Sequence, residues 1–156
     1  MAEALTIGEP APPFDLPGAG GESISLAGLK GRKVVLYFYP KDDTSGCTKE
    51  AIAFNGLRKA FAEAGTEIIG VSPDSVASHD KFRSKYDLAF PLAADEEKAM
   101  LEAYGVWKEK SMYGRKYFGV ERTTVLIDAE GRVAQVWPKV KVDGHADEVL
   151  RAAQAL

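Results

Sequence analysis

The sequence is poor in the residues that build disulfides and metal sites: among 156 residues it has one cysteine, Cys47, and two histidines. One cysteine cannot form an internal disulfide, so a secreted fold held together by disulfides is excluded. His79 and His145 lie far from Cys47 in the chain and lack the spacing of metal ligands, so no metal site is predicted. Both histidines are expected at the surface, which also argues against a hydrolase with a cysteine–histidine pair.

Long apolar runs and basic stripes are missing as well. No stretch approaches the roughly 20 apolar residues of a membrane-spanning helix, and the opening MAEALT lacks the basic and apolar regions of a secretory signal. The net charge of −3 argues against a nucleic-acid partner. The densest basic cluster, 108–116, is interrupted by Glu109 and uncharged residues and is expected to be a solvated face or loop. We therefore predict a cytoplasmic protein that binds neither membranes nor nucleic acid.

The rest of the composition is typical of one folded domain, predicted at 1–156. A chain of 156 residues fits a single domain and buries about 70% of its unfolded surface, which is enough for a core without covalent staples. Hydrophobic residues make up 46% and charged residues 28%, an ordinary globular balance.

Apolar runs and helical periodicities alternate along the chain. Strands are predicted at 23–26, 33–39, 67–72, 90–93, 123–128 and 132–137, and helices at 45–64, 75–86, 96–104 and 145–155. Ser75 and Asp143 are expected to cap two helices, and Gly65 to end another. This alternation predicts an α/β fold with a central mixed β-sheet flanked by helices on both faces. The order is that of a thioredoxin-like sheet, although other α/β folds share it.

Cys47 occupies a position that favours a reactive thiolate. The predicted strand 33–39 ends at Pro40, and a short polar loop leads into a helix whose first turn contains Cys47. Free N–H groups and the positive end of the helix dipole favour a thiolate there. Cys47 precedes Phe54 by seven residues, so it is expected on the apolar side of the helix, partly covered. A lone cysteine can still be an inert, small apolar side chain, and that interpretation stays open at this point.

A buried thiolate needs a cation, and Arg122 is the favoured candidate. It immediately precedes the strand predicted at 123–128, so its side chain can reach Cys47 from the end of a neighbouring strand. Lys41 and Lys49 are nearer in sequence but are expected to face solvent. The planar guanidinium also suits the task, because its several N–H groups can bind a thiolate and a second acceptor at the same time.

The segment 37–51, YFYPKDDTSGCTKEA, resembles the active-site loop of peroxiredoxins and is most similar to the Q-type, also called bacterioferritin comigratory protein. The general family pattern is Pro, three residues, Thr or Ser, two residues and Cys, which Pro40, Thr44 and Cys47 meet. Further similar segments follow in the same order at 104–109, 112–117, 121–128 and 136–142. The resemblance thus extends over almost the whole chain.

The resemblance implies a thioredoxin-like fold and a thiol-dependent peroxidase of antioxidant defence that reduces hydrogen peroxide and organic hydroperoxides and needs no cofactor. Cys47 would be the peroxidatic cysteine, which becomes a sulfenic acid. Thr44 would hydrogen-bond the thiolate and the peroxide, and Arg122 would hold the thiolate and polarise the peroxide. Pro40 would shield the site from water, and the N–H groups of Gly46 and Cys47 would donate to the peroxide oxygens.

Three positions add to this comparison. Many Q-type members have a resolving cysteine where this chain has Ile52, so a one-cysteine mechanism is expected, with an external thiol such as thioredoxin, glutaredoxin or glutathione as reductant. Ser45 replaces a common proline and could cap the helix instead. Glu50 either orients Arg122 or is an ordinary first-turn acid. Q-type proteins are often monomers, and a monomer is expected here.

Two rival functions use the same features. A thiol–disulfide oxidoreductase would share the fold but needs a Cys-x-x-Cys pair, and Thr44 occupies the first of those positions. A redox sensor would use the same fast thiolate and pass its oxidation to a partner. Turnover separates a sensor from a peroxidase, because a sensor would stop after one equivalent of peroxide.

Overall fold

The computed structural model describes residues 5–156. Residues 1–4, which begin the segment predicted not to be a secretory signal, lie outside this range. The strands are β1 (Asp15–Pro17), β2 (Ser23–Ser25), β3 (Lys33–Phe38), β4 (Thr66–Ser72), β5 (Leu92–Ala94), β6 (Trp107–Met112), β7 (Arg115–Val120), β8 (Thr123–Ile127) and β9 (Val133–Trp137). The α-helices are α1 (Ser45–Gly56), α2 (Arg58–Glu63), α3 (Val76–Tyr86), α4 (Ala99–Ala103) and α5 (His145–Ala155).

A five-stranded sheet in the order β5-β4-β3-β8-β9 forms the centre of the molecule. Strand β3 runs parallel to β4 and antiparallel to β8, so the sheet is mixed, as predicted. The continuous apolar sequence of β3 has the expected cause, because Val34 through Tyr39 are at most 1% exposed.

Successive residues of β3 point to opposite faces of the sheet and enter two separate cores. Leu36 and Phe38 pack with Leu101 of α4 on one face. Tyr37 packs on the other face with Phe54 of α1, in a core to which α2, α3 and α5 also contribute. Helices therefore cover both faces, as predicted, but most of them lie on the face that carries Cys47.

Several element ends differ from the sequence-based expectations. The helix predicted at 45–64 is divided at Leu57, whose ψ of 6° lies outside the helical range, although Gly65 ends the second part with a φ of +68° as predicted. The helix predicted at 96–104 is reduced to α4, because Lys98 has a left-handed φ of 64°. The predicted cap Ser75 is confirmed, since its hydroxyl accepts a hydrogen bond from the Ser78 N–H at 3.1 Å.

Asp143 does not cap the last helix, so that prediction is wrong. The residue that precedes the helix is Gly144, with a φ of 74°, and no side chain caps it. The Asp143 carboxylate instead pairs with Lys49 at the start of α1. The carboxylate is therefore used in a contact between distant parts of the chain, which a local cap pattern does not reveal.

The basic cluster 108–116 lies in a β-hairpin that the sequence analysis does not predict. Strands β6 and β7 pair antiparallel, and the chain turns at Tyr113 and Gly114, which both have positive φ. Most of their residues are exposed, so the expectation of a solvated segment is confirmed while that of a loop is not. Within residues 5–156, no helix is long and apolar enough to cross a membrane.

Candidate active site

The pairing of β3 with β8 brings two segments that are distant in the sequence together at one end of these strands. Phe38, the last residue of β3, pairs with Thr123, the first residue of the antiparallel β8. Arg122 therefore lies beside the chain that leaves β3 for α1. Its backbone carbonyl accepts a hydrogen bond from the Val140 N–H at 2.9 Å, which holds this end of β8 in place.

The first turn of α1 contains Cys47. Thr44 precedes the helix with an extended backbone, and its carbonyl accepts the first helical hydrogen bond, from the Thr48 N–H at 2.8 Å. Ser45 is therefore the first helical residue and not the cap. The N–H groups of Gly46 and Cys47 precede that first bond, so they have no partner within the helix. The Cys47 side chain points to the core and is only 1% exposed, as its phase on the helix predicted.

The guanidinium of Arg122 connects Cys47 with Glu50. Its Nη2 donates to the Cys47 Sγ at 3.3 Å, and its Nη1 donates to Glu50 Oε1 at 2.6 Å. Burial by itself would lower the pKa of Arg122, but Glu50 and Cys47 more than offset this effect and the pKa is raised. The guanidinium next to the Cys47 sulfur therefore stays positively charged. Arg122 is also the residue that the sequence analysis favoured as the cation. Lys41 and Lys49 are exposed, as expected.

Glu50 is a buried carboxyl group with only one of its oxygens bonded. The residue is 1% exposed, and among residues 5–156 no group donates to its Oε2. Burial raises its pKa to about 7, and the attraction of Arg122 opposes this rise. Its contact with Arg122 matches the first of the two interpretations, a residue that orients the guanidinium.

Three further residues predicted for the site lie near the start of α1 in the sequence: Pro40 in the preceding loop, Thr44 directly before the helix and Gly46 in its first turn. The Thr44 hydroxyl donates to the Lys41 carbonyl at 2.8 Å, so its only proton is used there and does not reach Cys47. The expected bond from Thr44 to the thiolate is therefore not formed in this structure. Pro40 is half-buried and is separated from the end of β3 by Tyr39. A Cβ at Gly46 would lie 3.3 Å from Arg122 Nη2, so the lack of a side chain there leaves room for the guanidinium.

Known proteins share this arrangement of sheet, loop and helix. The sequence matches the AhpC/TSA family over residues 7–136. Peroxiredoxin Bcp of Bacillus subtilis is 49% identical over 147 residues, which cover 94% of each chain. This chain is a Q-type peroxiredoxin of that family. The solved bacterioferritin comigratory protein of Xanthomonas campestris is a similar peroxiredoxin, with a TM-score of 0.88 and 49% identity over 91% of this chain and 90% of its own.

A cysteine-to-serine variant of Xylella fastidiosa PrxQ extends the match, with a TM-score of 0.93 and 38% identity over 99% of this chain and 98% of its own. These two solved structures confirm the predicted thioredoxin-like fold. As a Q-type peroxiredoxin, the protein is a thiol-dependent peroxidase, and the rival assignment as a thiol–disulfide oxidoreductase is set aside. Its one cysteine lies at the site just described.

Both histidines of this peroxiredoxin are buried, so the prediction that they lie at the surface is wrong. His145 is 7% exposed, and its Nε2 lies 2.7 Å from the Thr124 hydroxyl. Its pKa is lowered, mainly by burial. His79 has no exposed surface and lies between Asp42 and the Ala93 carbonyl. His79 lies three residues after Val76, three before Phe82 and seven before Tyr86, so it shares the apolar side of α3, and this spacing is the signal that could have placed it inward.

Proposed function

We propose that this peroxiredoxin reduces hydroperoxides by a one-cysteine cycle at Cys47. The thiolate attacks one oxygen of the peroxide, the O–O bond breaks, and alkoxide or hydroxide leaves and takes up a proton. The sulfur keeps the other oxygen as a sulfenic acid. The observation that carries the proposal is the bond from a half-buried guanidinium to the thiol of the one cysteine, at the N-terminus of a helix.

The donors around the sulfur fit this reaction. Negative charge moves from the sulfur to the departing oxygen, so a donor close to both lowers the energy of the transition state more than that of the ground state. Arg122 lies 3.3 Å from the sulfur, and its planar fork has further N–H groups for a peroxide oxygen. The free N–H groups of Gly46 and Cys47 supply two more donors from the helix start.

Thr44 has a role that differs from the expected one. Because its proton is donated to the Lys41 carbonyl, its hydroxyl oxygen offers only lone pairs to other partners. An organic hydroperoxide has one O–H group and hydrogen peroxide has two, and such a group needs an acceptor while Arg122 and the helix donate to the peroxide oxygens. We therefore assign to the Thr44 hydroxyl oxygen the role of accepting a hydrogen bond from the peroxide O–H group. Pro40, at the opposite end of the loop, is assigned the role of shielding the site from water.

Organic hydroperoxides are proposed substrates together with hydrogen peroxide. An open cavity of about 480 Å³ adjoins Thr44 and the outer side of the first turn, and Ile52 and Tyr86 contribute apolar surface to it. An alkyl group attached to the peroxide would lie there. The Xanthomonas campestris relative was solved as trapped intermediate and ligand complexes that bear on its alkyl peroxide reduction activity, which supports the same substrate class here.

An external thiol has to close the cycle, because the chain has no second cysteine. Exchange requires that a thiol reach the oxidised sulfur, yet Cys47 is only 1% exposed. The first turn of α1 must therefore open before the reductant attacks. Thioredoxin, glutaredoxin and glutathione are the proposed reductants, and a cytoplasmic monomer formed by one domain remains the predicted state of the protein.

Hydrogen peroxide consumption with dithiothreitol tests the proposal, with the wild type measured beside Cys47→Ser. We expect sustained turnover by the wild type and none by the variant, whose smaller oxygen fits the same buried space. Consumption of a single equivalent would favour the redox sensor, which shares the thiolate but does not cycle. No consumption by the wild type would contradict the peroxidase assignment. Replacing dithiothreitol by thioredoxin, glutaredoxin or glutathione then identifies the best reductant.

A further inference from the structure

A second buried polar cluster lies beneath the loop that carries Thr44. Asp42 is 7% exposed and His79 is fully buried. Asp42 Oδ1 accepts a hydrogen bond from the Tyr39 hydroxyl at 2.6 Å, and Oδ2 accepts one from the Ser78 hydroxyl at 2.8 Å. His79 Nδ1 lies 2.7 Å from the same Oδ2. The loop is thus held by a side chain that reaches into the protein instead of into solvent.

The hydrogen bonds determine how many protons this cluster contains. His79 Nε2 lies 3.0 Å from the Ala93 carbonyl, which can only accept, so Nε2 carries a proton. The contact between His79 Nδ1 and Asp42 Oδ2 needs a second proton between them, and Ser78 and Tyr39 already donate theirs to Asp42. Burial strongly raises the pKa of Tyr39, so its hydroxyl keeps its proton. The proton between them lies on Nδ1 or on Oδ2, and the two donors already on the carboxylate, Tyr39 and Ser78, favour the form with an imidazolium and a carboxylate.

Other contacts anchor the pair to rigid elements. His79 lies on α3 and is bonded to β5 through Ala93. The Asp42 N–H donates to Asp74 Oδ2 at 2.8 Å, and Ser72 of β4 donates to the same oxygen at 2.6 Å. The loop before α1 is therefore tied to a helix and to two strands of the central sheet.

We propose that Asp42 and His79 are positioning residues for the peroxide reaction. Lys41 directly precedes Asp42, and the Lys41 carbonyl accepts the hydrogen bond that the Thr44 hydroxyl donates. The pair fixes this carbonyl and so aims the lone pairs of the Thr44 hydroxyl at the peroxide. Neither residue touches the sulfur. The inference rests on the acceptor role proposed for Thr44.

A metal ion is the competing explanation for the same residues. Ligand atoms of Asp42, Asp74 and His79 lie within 4.8 Å of one another. However, the His79 and Asp42 atoms are 2.7 Å apart, which is a hydrogen-bond distance, and Asp74 is already bonded to Ser72 and to the Asp42 N–H. An ion would have to replace the shared proton. Metal analysis of the purified protein distinguishes the two, because a stoichiometric metal would overturn the proposal.

Two variants of His79 test the positioning role. In His79→Asn the amide nitrogen can replace Nδ1 and still donate to Asp42. In His79→Gln the longer side chain reaches the Ala93 carbonyl instead and leaves Asp42 without that donor. We expect the Gln variant to lose about tenfold or more in the rate of Cys47 oxidation by hydrogen peroxide, since small displacements at a reacting centre have effects of this size. The Asn variant should recover most of this loss.

Alkylation of Cys47 by iodoacetamide is the control reaction, because it needs the thiolate but no acceptor for a peroxide proton. Its rate should be similar in both variants and in the wild type. Equal losses in both reactions, or no loss of peroxide rate in the Gln variant, would overturn the proposal. These results differ from a failure of the proposed function, in which the wild type itself would not turn over.

A measurement on the wild type does not depend on how the variants fold. Nitrogen-15 NMR of the imidazole of His79 should show that both ring nitrogens carry protons at neutral pH. One unprotonated ring nitrogen would contradict the ion pair, and with it the proposed anchor of the loop.

Discussion

Two buried polar clusters lie close to the loop 40–44, one around Cys47 and one around Asp42, and they differ in how completely their hydrogen bonds are satisfied. Around Cys47, the Glu50 Oε2 has no donor, and the nearby Tyr37 hydroxyl has no partner; these are the two such buried side-chain atoms among residues 5–156. In the Asp42 cluster, both carboxylate oxygens of Asp42 and both ring nitrogens of His79 have hydrogen-bond partners. Hydrogen-bonding capacity is therefore left open in the cluster that is proposed to receive the substrate.

The difference follows from what each cluster has to do. A fully bonded buried network is rigid, because any movement leaves a polar group without a partner in a medium of low polarity. The Asp42 cluster therefore suits the task of holding the loop. A reacting centre has to exchange partners during the reaction, so the Cys47 cluster cannot be satisfied by the protein alone. Loss of a partner should accordingly have its largest effect on activity at Cys47.

The largest effect on activity is expected for Arg122→Lys. A single ammonium group cannot donate to both the Cys47 sulfur and Glu50 Oε1 as the guanidinium does. The rate of Cys47 oxidation should fall about 100-fold, which is the size of effect seen when one transition-state donor is removed. Stopped-flow peroxide kinetics measures it, with Arg58→Lys as the control because Arg58 is exposed and donates to the Asn55 carbonyl. A rate close to that of the wild type would mean that charge alone is sufficient at this position.

Glu50→Gln should change how stability depends on pH. Burial raises the pKa of Glu50 from 4.5 to about 7, so the folded protein binds this proton more tightly than the unfolded chain. Its contribution to the free energy of unfolding is therefore largest at low pH and is lost as the pH rises from 4.5 through about 7. Glutamine does not ionise, so the variant does not lose stability in this way as the pH rises. Its free energy of unfolding relative to that of the wild type should therefore rise over that range by up to about 3 kcal/mol.

Urea unfolding across the same pH range measures this difference. Glu63→Gln provides the control, because Glu63 is exposed on α2 and should show no comparable divergence from the wild type. Parallel curves for Glu50→Gln and the wild type would show that Arg122 compensates fully for the burial of the carboxylate.

A smaller effect is expected for Gly46→Ala. The added Cβ would lie 3.3 Å from Arg122 Nη2 and would push the guanidinium by a few tenths of an ångström. The rate of Cys47 oxidation should fall about threefold to tenfold, because reacting groups tolerate little displacement. Gly56→Ala is the matched control at the other end of α1, where nothing lies within 4 Å of the new Cβ. If the two alanine variants have equal rates, the guanidinium is not confined as described.

The smallest effect on the rate of Cys47 oxidation is expected for Ile52→Cys. This substitution should instead change the oxidised form in which Cys47 ends. Five residues of helix span about 7.5 Å, beyond the reach of a disulfide, so a bond to Cys47 requires the first turn to unwind. Ile52 is 50% exposed, and its replacement should leave the fold intact. Peroxide should then yield an internal disulfide, seen by mass spectrometry, in place of a sulfenic acid that dimedone traps.

Persistence of the sulfenic acid in that variant would mean that α1 does not open. The Asp42–His79 bonds should survive the opening, since they belong to the satisfied cluster. Their loss in the oxidised variant, visible in the His79 imidazole spectrum, would remove the distinction between the two clusters.

The sequence was sufficient where local chemistry dictates the structure. The apolar run of β3, the break at Pro40 and the polar loop after it placed Cys47 in the first turn of a helix, because each of these features acts within a few residues. Arg122 could be found because it directly precedes another apolar strand. The β6–β7 hairpin was missed, since two exposed strands show no alternation of apolar and polar residues.

Taken by itself, the sequence determined the α/β class, the family resemblance, the one cysteine that can serve as the proposed nucleophile, and the absence of a second cysteine that could resolve it. Only the tertiary structure decided the rest: that Arg122 lies between Cys47 and Glu50, and that His79 is buried against Asp42. The physical reason is distance along the chain. Hydrogen bonds between residues 37 or more positions apart depend on how strands pair, and no local pattern records that pairing.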